Sequence, residues 1–559
     1  MSAGAAARPH TGQPPAGDTV ADAVGRALVA AGVDHVFAVV GSGNFHVTTA
    51  MVDAGARFVA ARHEGGAATM ADAYARTADR PAVLTVHQGC GLTNATTGIA
   101  EAAKSRTPLL VLAPEAVSPT SNFHVDQEAL ARAVGAVPMR AADPATAVAD
   151  ALTALAVARD ERRTVVLNLP LDVQGAPAPD PARVPAPSTA SPRPVAEDAV
   201  ERLAAALRAA RRPVFVAGRG ARSAAAREAL AVLAERCGAL LATSAVAKGL
   251  FRGHPWSLDV AGGFSSPLAA ELIAGADLVV GWGCALNMWT MRHGRLIAPG
   301  ATVVQVDDTP EALGRHRELT FGVLGDVAAT ARALTHRLAD RPAAGYRSEE
   351  LRARLAGGVR WRDVPYTDRS GDGRIDPRTL SIALDDLLPA ERVLAVDSGN
   401  FMGYPSMYLD VPDEQGFCFT QAFQAVGLGL ATAIGAALAR PDRLPVAALG
   451  DGGALMGAAE LDTVRRLGLP MVVVVYNDDA YGAEVHHFVG ADHRTVTFPP
   501  TDIAAVGAGY GFDAVTVRSV ADLAGVAAWL DGPRDRPLLV DAKVVADEPA
   551  WWLAEAFGH

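Results

Sequence analysis

Two acidic residues stand where apolar runs end. Gly450-Asp451-Gly452 follows the run Pro445 to Leu449, and Asn477-Asp478 follows Met471 to Tyr476. Both carboxylates are therefore expected at the carboxyl ends of neighbouring parallel strands, the edge at which such sheets bind ligands. A hard cation such as Mg2+ needs a few protein oxygens at about 2.1 Å, with phosphate oxygens and water completing its shell. Asp451, Asp478 and the backbone carbonyl of Ala480 can supply three. Gly452 and Gly453 let the backbone come close to phosphates, and a helix beginning near Gly457 would turn free N–H groups toward the anion. The pattern reads as a magnesium–diphosphate cradle. Gly371-Asp372-Gly373 repeats the triplet without an apolar run before it or an Asn-Asp pair after it, and reads as a turn.

A second constellation is Arg62-His63-Glu64-Gly65-Gly66-Ala67-Ala68. Glu64 follows the strand-like Arg57 to Ala61 and opens an Ala-rich helix through Tyr74, where a carboxylate near the amino terminus is electrostatically favoured. A solvated Glu at a helix start is the plain alternative.

The spacing of the first constellation resembles the signature of thiamine diphosphate enzymes, in which the second metal ligand lies 27 positions after the first, here Asp451 and Asp478. Most members carry Asn where this chain has Asp478, and the added charge favours the metal while opposing the diphosphate. The segments run in the order of the acetolactate synthase, pyruvate decarboxylase and benzoylformate decarboxylase superfamily. Val36 to Asn44 is similar to its first strand and substrate loop, His87 to Asn94 to its second Gly-rich loop, and Asn122 to Gln127 to its Phe-Gln segment. Gln421 to Ala437 resembles the stretch that bends the cofactor, with Val426 at the wedge position where members carry larger residues.

The resemblance implies thiamine diphosphate and Mg2+ as cofactors. Glu64 would face the cofactor's pyrimidine and promote formation of the nucleophilic ylid. Asn94, Gly399, Asn400, Gln424, Val426, Gly450, Asp451, Gly452, Gly453, Asp478, Ala480 and Tyr481 would contact the cofactor, and Asp451, Asp478 and Ala480 its metal. Catalytic candidates beyond Glu64 are His87, able to shuttle a proton, and Glu484 with His487 near it on one helix face, a Glu matching the proton donor of pyruvate decarboxylases. Gln127 is similar to a Gln that acetolactate synthases keep near the thiazolium and points instead to carboligation. Ser42, Asn44, Phe123 and His124 would complete the walls. Each loop residue has a structural alternative.

The implied activity is decarboxylation of a 2-oxo acid to an enamine, which is then protonated or passed to a second carbonyl. A lyase of 2-hydroxyacyl or hydroxyketone substrates, an FAD-containing oxidase and a non-catalytic regulatory homologue are the alternatives; the last should have lost Glu64 or a metal ligand, and neither is lost. Gly218-Arg219-Gly220-Ala221-Arg222 resembles a turn that contacts FAD in some relatives. Others without flavin keep a similar turn, and Gly283 to Trp289 does not match flavin-contacting segments, so the balance is against FAD. In such enzymes Glu64 and the Asp451 site come from different subunits, which implies a homodimer or homotetramer with active sites between subunits.

The elements that must position these residues follow from composition and punctuation. The 559 residues suggest three or four domains. Short β-branched runs such as Pro213 to Ala217, Leu278 to Gly281 and Thr302 to Val306 alternate with Ala-rich helical stretches, an α/β pattern of parallel sheets flanked by helices. Three domains are expected: pyrimidine-binding over 18–174, central over 195–340 and diphosphate-binding over 376–547, with a disordered tail over 1–17. Linkers are expected over 175–194 and 341–375. The tail 548–559, with Trp551-Trp552-Leu553, is too apolar to hang free and reads as a lid or as packed on a partner subunit. The net charge of −11 and the lack of basic stretches argue against nucleic acid. No apolar run reaches the length of a membrane helix, and the first residues lack a signal-peptide core. Cys90, Cys237, Cys284 and Cys418 lack metal-ligand spacing, so a cytoplasmic setting with reduced thiols is expected.

Overall fold

Among the described residues, eighteen parallel strands account for the apolar runs. The computed structural model describes residues 18–178, 193–339 and 345–556, which fall into two compact units cut between Ala71 and Asp72, Asp79 and Arg80, and Thr189 and Ala190. The tail expected over 1–17, residues 179–192 of the first expected linker and residues 340–344 and 557–559 lie outside the described residues.

The first unit holds one six-stranded sheet of β1 (His35–Ala38), β2 (Arg57–Ala60), β3 (Ala82–Thr85), β4 (Leu109–Glu115), β5 (Val137–Arg140) and β6 (Thr164–Pro170), in the order β2-β1-β3-β4-β6-β5. Its central strands are buried throughout and correspondingly rich in Val and Leu, as expected for a parallel sheet covered on both faces. The chain order reverses between β1 and β3, so their carboxyl ends frame a crevice of the kind in which such sheets bind ligands.

The second unit holds two sheets. β7 (Pro213–Ala217), β8 (Leu240–Thr243), β9 (Ser257–Val260), β10 (Leu278–Trp282), β11 (Thr302–Asp307) and β12 (Phe321–Leu324) lie in the order β12-β11-β10-β7-β8-β9. β13 (Arg392–Val396), β14 (Phe417–Phe419), β15 (Leu444–Gly450), β16 (Val472–Asn477), β17 (Asp513–Val517) and β18 (Leu538–Lys543) lie in the order β14-β13-β15-β16-β18-β17. The third sheet thus repeats the topology of the first, with its switch point between β13 and β15. The two sheets of this unit are tied by Lys248 Nζ, which donates to the Ser406 carbonyl at 2.9 Å, and by the ion pair of Arg227 with Glu414 at 2.9 Å.

Three expectations are changed or extended. The stretch read as a linker over 341–375 carries the helix Glu349–Gly358, whose Leu351 and Leu355 are buried in the middle-sheet core, and Trp361, buried in the third-sheet core. Its polar composition hid a two-residue apolar face. Besides the helical segment that starts at Gly457 (Ala458–Glu460, running into the helix Leu461–Arg466), an earlier helix, Asp451–Met456, follows Gly450 directly and ends at Gly457. The C-terminal helix Trp551–Ala556 packs on its own chain: Trp552 sits edge-on to Phe264 and Trp289, and Trp551 to Trp361. Gly371 to Arg374 forms a tight turn, with Asp372 and Gly373 both at positive φ.

Candidate active site

At the carboxyl edge of the third sheet, the ends of β13, β15 and β16 bring three loops together. Asp451 follows β15 directly and Asp478 follows β16, and Gly450 pairs with Tyr476 in register, so the two carboxyls come from adjacent strand ends. They hydrogen-bond to each other, with Asp451 buried and Asp478 half-buried. Burial first, and then the facing carboxylate, hold Asp478 well above the usual carboxylate range, and burial does the same to Asp451. Two acids pressed together away from water are costly unless a proton or a cation lies between them. Asp479, at φ +57, closes the turn; its carboxylate accepts from Arg374 Nη2 at 2.6 Å and its N–H donates to Asn477 Oδ1 at 3.2 Å. Asn477 in turn donates to Asp541 on β18 at 2.8 Å. The bonds around Ala480 run from Tyr481 N–H to Val496 O and from Phe498 N–H to Asp479 O, which leaves the Ala480 carbonyl outside them.

Two carboxylates and a carbonyl suit a hard divalent cation, and the glycines around them form a cradle that side chains would fill. A Cβ on Gly452 would lie 2.6 Å from the Tyr481 ring, one on Gly453 2.2 Å from Asp397 Oδ2, and one on Gly482 2.3 Å from Asp478 Oδ2. The residues present therefore fit Mg2+ and a diphosphate.

Asp397 escaped sequence reasoning. It follows β13, is fully buried, and accepts from the N–H groups of Ser398 at 2.8 Å and Gly427 at 3.0 Å. Burial pushes its carboxyl up to about 6 against these backbone N–H groups. Through Gly427 it fixes the loop bearing Gln424 and Val426. Gln424 is held at φ +60, a conformation rare for a side-chain-bearing residue. Val426 is 43% exposed and so is not core. The available signal was an Asp at a strand's carboxyl end, in Val396-Asp397-Ser398-Gly399. Gly399 has φ +142, and Asn400 is clamped by the C-terminal segment: its Oδ1 accepts from Ala550 N–H at 2.9 Å and its carbonyl from Trp552 Nε1 at 2.8 Å. Tyr481 stands edge-on to Phe498 at 4.9 Å. Glu484, on the short helix Gly482–His487, is exposed, with His487 Nδ1 3.9 Å from its Oε2.

The crevice of the first unit gathers the remaining candidates. Glu64 opens the helix Glu64–Ala78, half-buried, with Oε2 accepting from Asn94 Nδ2 at 3.0 Å. His87, after β3, faces Ser42 after β1, with Nε2 and Oγ 3.3 Å apart, and stands edge-on to Phe123 at 5.1 Å. Asn44 is fully buried and ties the two loops, its Nδ2 donating to Thr85 Oγ1 at 3.0 Å, so it supports the crevice without facing it. His124 is exposed on the loop after Phe123. Gln127 is 3% exposed; its Oε1 accepts from Gly89 N–H at 3.1 Å and its Nε2 donates to Asn168 Oδ1 at 2.8 Å. Its amide thus holds the Gly89 turn from behind.

The middle sheet offers no matching cradle. Gly218 and Gly220 pack backbone to backbone on Gly283, where a Cβ on Gly218 would lie 2.4 Å from the Gly283 carbonyl oxygen, and Gly220 N–H donates to that oxygen at 3.0 Å. This close approach accounts for the glycines without a flavin.

Residues 18–130 match the N-terminal TPP-binding domain of thiamine pyrophosphate enzymes, 200–334 their central domain and 397–542 their C-terminal TPP-binding domain. A probable 2-ketoarginine decarboxylase of Pseudomonas aeruginosa is 32% identical over 519 residues, with 90% of each chain covered. The chain belongs to the thiamine pyrophosphate enzymes. Another relative of this thiamine pyrophosphate enzyme is a sulfoacetaldehyde acetyltransferase of Rhodobacter capsulatus, 30% identical over 502 residues, covering 83% of each chain. The fold is shared with the thiamine diphosphate-dependent 4-hydroxybenzoylformate decarboxylase of Rhodococcus jostii RHA1, at a TM-score of 0.81 and 22% identity over 95% of this chain and all of that one. Among the described residues, no helix is long and apolar enough to cross a membrane.

Proposed function

We propose that this thiamine diphosphate enzyme decarboxylates a 2-oxo acid, with Mg2+ bound by Asp451, Asp478 and the Ala480 carbonyl. The observation that carries the metal site is the pair of mutually facing carboxyls, one buried and one half-buried, at the ends of β15 and β16. Bound there, the cofactor supplies the nucleophilic carbon and electron sink that decarboxylation requires. The chain's residues bind, orient and move protons. The glycines of 450–453 and the Gly399-Asn400 turn receive the diphosphate, and the Asp397-held loop places Val426 against the cofactor. Glu64, steadied through Oε2 by Asn94, holds a proton toward the pyrimidine.

His87, in reach of Ser42, and Glu484, beside His487, can carry the proton that replaces carbon dioxide. Gln127, the pointer to carboligation, is occupied behind the loop, so protonation to an aldehyde is the preferred outcome. Transfer to a second acceptor is the other reading, favoured by the sulfoacetaldehyde acetyltransferase and by an acetolactate synthase large subunit of Parasynechococcus marenigrum, 28% identical over 438 residues. The Glu64 and Asp451 halves resemble those contributed by different subunits, so the working enzyme is a homodimer or larger.

The test is mass-spectrometric product analysis with Mg2+, thiamine diphosphate and a panel of 2-oxo acids, with and without acceptor aldehydes, and with Glu64→Gln as the blank. An aldehyde alone supports the preferred reading. A hydroxyketone replaces it with the transfer reading, and no turnover of any 2-oxo acid refutes both.

A further inference from the structure

A cavity of about 320 Å³ opens in the second unit, lined from the start of the helix Pro377–Leu387, the helix Gly403–Tyr408 and the segment before the C-terminal helix. It shares no lining residue with the Gly399-Asn400, Gly450–Gly453 or Asp478–Tyr481 loops. Its walls include the rings of Trp361, Tyr366, Tyr404, Tyr408 and Trp551, a lining suited to a planar apolar body.

The polar groups on the lining divide sharply. Every acid on it is engaged in an ion pair: Asp376 with Arg378 at 2.5 Å, and Asp547 and Glu548, which share Arg369, at 2.9 and 2.5 Å. What is left over is a set of donors. Tyr404 and Tyr408 are only 9% and 6% exposed, yet neither hydroxyl has a hydrogen-bond partner among the described residues. Trp551 Nε1 is buried without one. Arg378 spends Nε and Nη2 on Asp376 and Thr367 while its guanidinium lies over the Tyr366 ring at 4.7 Å, which leaves Nη1 unused. A buried donor without an acceptor, as at Trp551 Nε1, is costly, while the two hydroxyls and Arg378 Nη1 remain open to a ligand that supplies acceptors.

We propose that this cavity is a second binding site, distinct from the cofactor site, for a small carboxylic acid with a flat apolar body. The carboxylate accepts from the Tyr404 and Tyr408 hydroxyls and Arg378 Nη1, and the body lies among the rings. The occupant also touches Trp551, whose neighbours Ala550 and Trp552 hold Asn400.

The test is calorimetric titration of benzoate into the full chain loaded with Mg2+ and thiamine diphosphate. Tyr408→Phe keeps the ring and removes one donor, so its thermal midpoint should stay at the wild-type value while the benzoate Kd rises about tenfold, the loss of one hydrogen bond to a charged acceptor. Adding Tyr404→Phe should weaken binding further, and His87→Ala should leave it unchanged. Binding that ignores Tyr408→Phe but follows His87→Ala would assign benzoate to the cofactor site and overturn the proposal. So would tighter binding of benzylammonium than of benzoate, or no binding of benzoate at all.

Discussion

Replacing Asp397 by Asn tests how the loop that faces the cofactor is held. The Asp397 carboxyl is fully buried, and burial raises it from 3.8 to about 6. That difference of about 2 units corresponds to at most about 3 kcal/mol. An acid raised on folding contributes stability that is complete below its unfolded value and is lost as pH climbs to the folded one, so the window runs from about pH 4 to about pH 6. Asn removes this titration. It adds a cost of about 1–3 kcal/mol at every pH, because its NH2 must face a backbone N–H of Ser398 or Gly427 that the carboxylate accepted. The wild type should therefore exceed Asp397→Asn in stability most at pH 4, and the gap should shrink by up to about 3 kcal/mol by pH 7. Urea unfolding of both proteins in EDTA, followed by tryptophan fluorescence at pH 4, 5, 6 and 7, reads the difference, in which titrations common to both cancel. A gap independent of pH would refute a raised Asp397, and a gap that widens toward pH 7 would mean that the site favours the carboxylate.

Gln127→Ala orphans Gly89 N–H and Asn168 in a buried place, so it should cost about 1–3 kcal/mol in thermal unfolding while leaving cofactor affinity near wild type; an unchanged midpoint with collapsed turnover would restore it as a catalytic group. In Gly482→Ala the new Cβ falls 2.3 Å from Asp478 Oδ2, and the Mg2+ concentration giving half-maximal cofactor binding should rise at least about tenfold, measured by fluorescence titration. Because burial raises both Asp451 and Asp478, the metal must displace protons. Apparent Mg2+ affinity should thus fall as pH drops below neutrality, with proton release visible when calorimetry is repeated in buffers of different ionisation enthalpy.

The strands were legible because parallel strands buried on both faces must be continuous apolar runs. Pro213 to Ala217 reappears as β7 without a change of boundary, and the runs before Asp451 and Asp478 reappear as β15 and β16. The acidic residues at their ends could be read for the same reason, since a strand end at a switch point fixes where its next side chain stands. Partnering between distant loops could not be read. Nothing local in Gln127 reveals that its amide holds Gly89 on one side and Asn168 on the other. Asp397 looked like any polar residue after a strand until the fold brought Gly427 and Gly453 against it. The helix at Glu349–Gly358 was missed because two buried leucines among charged residues make a weak periodic signal, and the packing of Trp551 and Trp552 depends on aromatic partners nearly 200 residues or more away in sequence.

Calorimetric titration of thiamine diphosphate into wild type, Asp451→Asn and Glu64→Gln, each with Mg2+ and again with EDTA, tests the metal–diphosphate site most directly. Wild type and Glu64→Gln should bind only when Mg2+ is present, and Asp451→Asn should lose that binding by at least about a hundredfold, the cost of removing one buried charged ligand. Equal binding in EDTA, or Mg2+-dependent binding that survives intact in Asp451→Asn, would contradict the assignment of Asp451 and Asp478 as the metal pair.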